Sequence, residues 1–94
     1  MPLFDQTATV AAGAGNTVIK PRSGQLRNVL VTTAGTGAGQ VNFYDNATTN
    51  SGTIIGAIPA TVAVGTWYSF LMPAGLGIVC ANVTNGPALT VSFD

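Results

Sequence analysis

From Asn46 to Phe93 the chain runs 48 residues without a single Lys, Arg, Asp, Glu or His. That gap restricts the folds open to it. A membrane helix needs about 20 consecutive apolar residues, and here glycine, proline, threonine and asparagine interrupt every few positions. The stretch therefore reads as short strands joined by tight turns. Only 6% of the chain is charged, against about 25% in an ordinary soluble domain. A surface so poor in ions implies a molecule held against other protein.

Ninety-four residues make one domain, expected over 1–94 with 1–5 as an N-terminal arm. A chain this short buries roughly 60–65% of its unfolded surface. Its hydrophobic content of 47% supplies a core and leaves apolar surface over. The formal net charge is zero, so nothing repels one copy from another. Three cationic side chains cannot build a broad phosphate-binding face, so no nucleic-acid partner is expected. Cys80 has no second cysteine to pair with and sits in the apolar run 76–81, where it reads as a small buried hydrophobe. The segment Met1-Pro2-Leu3-Phe4-Asp5 has neither the basic region nor the apolar core of a signal peptide. Synthesis in a reducing cytoplasm, with no membrane partner, is the expectation.

Turn residues recur at 13–16, 21–24, 35–39, 45–52, near Gly65, at 73–75 and at 85–87. Between them lie runs rich in Val, Ile, Thr and aromatics, which is strand composition. No segment carries apolar residues at helical spacing over ten residues. Strands are expected at 6–12, 16–20, 25–33, 40–45, 53–59, 66–72, 76–83 and 88–93. Val41 and Phe43 alternate with Asn42 and Tyr44, and Leu89, Val91 and Phe93 with Thr90 and Ser92. The predicted class is all-β: an eight-stranded antiparallel β-sandwich, jelly-roll-like.

Two strands break the alternation. Thr66-Trp67-Tyr68-Ser69-Phe70-Leu71-Met72 and Thr53-Ile54-Ile55-Gly56-Ala57-Ile58 carry apolar side chains on both faces. One face of a sandwich strand packs on the core, so the second needs another cover. That cover is either a neighbouring subunit or a loop of the same chain, such as the 1–5 arm. On the first reading Ile55, Trp67, Tyr68, Phe70 and Met72 form an oligomer interface. The few charges also leave edge strands without their usual protection against pairing.

Lys20, Arg22 and Arg27 fall within eight residues around the Pro21–Gly24 turn. They read either as a small positive patch that grips a partner or as the solvated rim of a sheet. Asp45-Asn46 opens the loop to Gly52 and reads as a local turn cap. A calcium site would need more clustered oxygen donors than Asp45, Asn46 and Asn50. General acid–base catalysis needs positioned titrating groups, and this chain offers three aspartates, one lysine and no histidine. No enzymatic activity and no cofactor are expected. The glycines of 34–39 lack the Gly-Lys-Ser/Thr of a phosphate loop. Asn46-Ala47-Thr48 and Asn82-Val83-Thr84 match the glycosylation pattern and read as chance matches. Trp67, Tyr68 and Tyr44 would make a sugar-stacking platform if they shared one exposed face.

An ordered set of segments resembles a group of small virion proteins of tailed bacteriophages. The set is Ser23-Gly24-Gln25-Leu26-Arg27-Asn28-Val29-Leu30-Val31-Thr32-Thr33, Val41-Asn42-Phe43-Tyr44-Asp45-Asn46, Ser51-Gly52-Thr53-Ile54-Ile55, Pro73-Ala74-Gly75-Leu76-Gly77-Ile78-Val79 and the strand 88–93. It covers roughly residues 8–94. The resemblance implies a β-sandwich that decorates or cements a capsid, commonly as a homotrimer seated where major capsid protein subunits meet. Related sequences are similar to tail or fibre modules, and the lack of an appended domain favours decoration. On this resemblance the chain resides on the capsid exterior, and the expected capsid contact is the 1–5 arm with Leu3 and Phe4 or the turn with Lys20, Arg22 and Arg27. A carbohydrate- or receptor-binding fibre module is the alternative.

Overall fold

A computed structural model describes residues 6–37 and 39–94. Eight strands form: β1 (Gln6–Val10), β2 (Asn16–Lys20), β3 (Gly24–Thr33), β4 (Gln40–Asp45), β5 (Thr53–Pro59), β6 (Trp67–Ala74), β7 (Ile78–Ala81) and β8 (Ala88–Phe93). They build two four-stranded sheets, sheet A in the order β1-β8-β3-β6 and sheet B in the order β2-β7-β4-β5. Every pairing is antiparallel. The expected all-β, eight-stranded antiparallel sandwich is what the chain forms.

The pairing has a simple rule. β1 joins β8, β2 joins β7, β3 joins β6 and β4 joins β5. This is one long hairpin rolled over on itself. Rolling adds the β3–β8 and β4–β7 ladders, which knit the pairs into two sheets. Strands β1 and β6 edge sheet A, and β2 and β5 edge sheet B.

Alternation decides which side chains meet between the sheets. Val41 and Phe43 of β4, and Leu89, Val91 and Phe93 of β8, point inward and are buried. Leu26, Val29 and Val31 of β3 complete the sheet A half of the core. Aromatic contact bridges the two sheets: the Phe43 and Phe70 rings lie 6.2 Å apart, tilted by 48°. Tyr68 stacks on Phe70 at 5.9 Å. Gly56 makes room for that ring, because a Cβ there would lie 3.3 Å from Phe70 and 3.1 Å from Leu26.

Strands β1, β6 and β7 depart from the expected bounds by two residues at one end or both, for physical reasons. β1 stops at Val10 because Ala11 and Ala14 close a turn. β6 runs on through Pro73 to Ala74. Proline lacks an N–H, but β6 is an edge strand and has no ladder on that side to feed. β7 is shortened to Ile78–Ala81. At its start the backbones of Lys20 and Asn46 crowd Gly77, where a Cβ would lie 2.6 Å from the Lys20 carbonyl.

Phe43 is fully buried and touches both sheets. Phe43→Ala should therefore lower unfolding free energy by about 3–5 kcal/mol, read by urea denaturation followed by circular dichroism. A loss below about 1 kcal/mol would contradict this placement of the ring.

Candidate functional site

The rolled hairpin sorts charge by position. β2, β4, β6 and β8 end where β1, β3, β5 and β7 begin, so one end of the sandwich collects Lys20, Arg22, Arg27, Asp45 and Asp94. Every ionisable Lys, Arg and Asp among the described residues lies there. Among the described residues, the opposite end is made of 11–15, 34–37, 39, 60–66 and 82–87, none of which carries a charge. It is held by Asn82, whose amide donates to the carbonyls of Ala11 at 3.2 Å and Pro87 at 2.8 Å.

At the charged end the ions are largely occupied with the protein's own backbone. Asp45 accepts the amides of Leu76 at 2.8 Å, Gly75 at 3.1 Å and Gly77 at 3.4 Å. The Leu76 amide, foremost among the three, lowers the Asp45 carboxyl below its usual value of 3.8. Asp45 thus clamps a turn thirty residues away, while its neighbour Asn46 caps the local loop through the amides of Thr48 and Thr49. The expectation that both shape the 46–52 loop holds for Asn46 alone. Lys20 Nζ donates to the Asp94 carbonyl at 2.6 Å, and Arg27 Nη1 donates to Gln25 Oε1 at 3.2 Å. Arg22 stands exposed in the 21–23 turn.

The outer face of sheet A is different. Register places Thr9, Thr90, Leu30 and Trp67 in one row across the four strands, and Thr7, Ser92, Asn28 and Ser69 in the next. Both rows are uncharged. A depression of about 170 Å³ opens between them, lined by Asn28, Val29, Leu30, Trp67, Thr90 and Ser92. Trp67 forms one wall and is 66% exposed. The Ser92 hydroxyl is already engaged by the Asn28 amide at 3.1 Å, which leaves an apolar hollow.

Beside the depression the β6 edge bulges. Leu26 faces Met72 and Asn28 faces Ser69, so Phe70 and Leu71 share the single position of Arg27. Leu71 occupies the left-handed region at φ 52°, which costs a leucine about 1–2 kcal/mol relative to glycine. It is 53% exposed, so its partial burial offsets the strain only in part. The outer face of sheet B carries a second apolar row, Val18, Val79, Tyr44 and Ile54. Val79 is buried yet stands apart from the inter-sheet core.

The sequence-derived interface set divides three ways. Trp67 and Met72 are exposed, and Tyr68 and Phe70 are half-buried against the core. Ile55 belongs to the interior. A bulge between Phe43 and Tyr44 turns Ile55 and Gly56 inward together and leaves Ile54 as the outward residue. Ile55 is therefore corrected from interface to core. Lys20, Arg22 and Arg27 do share one end, while Leu3 and Phe4 lie outside the described residues. Trp67, Tyr68 and Tyr44 occupy three separate surfaces, so the sugar platform does not assemble. Sequence reading missed Leu30 and Leu71. Leu30 had a signal, since three consecutive apolar residues at 29–31 oblige the middle one to face out. Leu71 had none, because its prominence comes from the bulge.

Cys80 is buried in the core, and burial raises its thiol to about 12. Comparison with protein-family models, curated proteins and solved structures finds no match to this chain.

Two pH effects follow. The depressed Asp45 carboxyl stabilises the fold above 3.8, and that contribution disappears as pH falls below it. Asp45→Asn should remove this acid-limb slope and cost about 1 kcal/mol at neutral pH, because water screens the turn. The raised Cys80 thiol contributes fully below 9.0 and is lost as pH climbs toward about 12. Cys80→Ala should flatten that alkaline limb in thermal melts. Unchanged limbs in either variant would contradict the assignments.

Proposed function

We propose that this chain is a non-enzymatic virion structural protein, a decoration or cement protein bound to the outer surface of a tailed-bacteriophage capsid as a homotrimer seated on the major capsid protein. The virion setting rests on the sequence resemblance. The rolled pairing of β1–β8, β2–β7, β3–β6 and β4–β5 is read as a jelly roll, in keeping with the β-sandwich that the resemblance implies.

The observation that supports the reading most directly is the sorting of charge to one end while an exposed tryptophan and leucine share an uncharged face. Such a body has two unlike docking surfaces. The charged end, with Lys20, Arg22 and Arg27, addresses the shell. The apolar surfaces around β6 address other copies of the chain. Several weak shell contacts on one rigid trimer add up to high avidity, and a net charge of zero lets many copies crowd together without repulsion.

The exposed Trp67 beside Asn28 and Thr90 favours a second reading, a carbohydrate- or receptor-binding fibre module. Its weakness is the apolar hollow, which offers few partners to sugar hydroxyls. Glycan-array binding that competes with solvent access to Trp67 would favour it.

Purified shells lacking the protein provide the test. The folded chain should co-sediment with them saturably, and Lys20→Glu combined with Arg22→Glu should weaken binding at least tenfold at low salt. Absence of shell binding by the folded protein would overturn the reading.

A further inference from the structure

We infer, independently of the virion reading, that Asn85-Gly86 at the uncharged end of the sandwich is a site of spontaneous covalent modification held back by the fold. When this end opens, the Gly86 amide nitrogen closes on the Asn85 side chain and expels its nitrogen as ammonia.

The turn itself calls for this pair of residues. Asn85 has a φ of 62°, a left-handed conformation that asparagine tolerates better than most residues bearing a side chain. Its carbonyl accepts the amides of Thr36 at 2.8 Å and Gly37 at 3.0 Å, which fastens the 34–37 segment to the 82–87 connection. Gly86 follows because a Cβ there would collide with the Asn82 side-chain oxygen. The same two demands create a chemical weakness. Ring closure at an asparagine is hindered by the side chain of the next residue, and glycine has none. Asn85 is the only asparagine in the chain that glycine follows, and it is exposed to water.

The reaction needs only solvent. Hydroxide takes the Gly86 amide proton, the nitrogen bonds to Asn85 Cγ, and the bond from Cγ to Nδ2 breaks as ammonia leaves. Water then opens the cyclic imide at either carbonyl. One product is aspartate; the other is isoaspartate, whose main chain runs through the former side chain.

The closed fold blocks the first step. The Gly86 amide donates to the Val83 carbonyl at 2.9 Å, so its hydrogen is not offered to solvent. Gly86 is buried, and the Thr36 and Gly37 amides anchor the Asn85 carbonyl. Asn82 keeps this end shut through the carbonyls of Ala11 and Pro87. The rate of conversion therefore follows the population of the locally opened state. Conversion also makes the opening permanent. Either product brings a negative charge to an end where the described residues carry none. Isoaspartate also lengthens the main chain beside Asn82, where Gly86 has no room to shift.

Ageing the protein in mildly alkaline buffer, folded and in denaturing urea, tests this. Mass spectrometry with isoaspartate detection follows each asparagine. In urea Asn85 should convert before every other asparagine, and in the folded protein it should convert at least tenfold more slowly. Asn82→Ala removes two of the bonds that close this end, so its folded form should convert at least tenfold faster than the folded parent. Urea below the unfolding transition should speed the parent in the same way without any substitution. Asn85→Gly keeps the left-handed turn, so it should fold and show no conversion at position 85. The converted fraction, separated by its added charge, should melt below the unconverted protein. Equal rates in the folded and unfolded chain would overturn the proposal, as would another asparagine leading in urea or a converted fraction that melts with the parent.

Discussion

Three cationic and three acidic side chains cannot cover a sandwich with two outer faces and two ends. That scarcity is the constraint from which the rest of the structure follows. The core takes one apolar face of each strand, as in any two-sheet fold. The rolled pairing then places the described charges at a single end. The broad faces are left with threonine, serine, asparagine and exposed hydrocarbon.

The two ends are secured by different chemistry. At the charged end, Asp45 holds three successive amides of the β6–β7 turn, and Lys20 holds the Asp94 carbonyl. At the neutral end, neutral hydrogen bonds from Asn82 serve the same purpose. Salt or extreme pH should therefore loosen one end before the other. The glycosylation-pattern asparagines Asn46 and Asn82 both spend their amides on the fold, Asn46 on the Ser51 carbonyl and Asn82 on the neutral end.

Much of the architecture was legible from residue order. The strands at 16–20, 40–45, 53–59 and 88–93 form with the bounds expected, since turn residues and alternation agree there. Legibility failed where a bulge shifts the parity. At β5 the extra residue turns Ile55 into the core and leaves Ile54 outside. At β6 it throws Leu71 outward in a left-handed conformation. Bulges depend on how two strands share length, which a single strand does not reveal. The depression was similarly hidden, because its lining comes from β3, β6 and β8, strands far apart in sequence.

The central claim is that the charge-free surface around Trp67 is covered by protein in the working state, with the charged end against a shell. Cryo-electron microscopy of purified particles tests it most directly. The account expects sandwich density on the capsid exterior, with Arg22 toward the shell and Trp67 enclosed between neighbouring copies. Particles without that density, or density in which Trp67 faces open solvent, would contradict it.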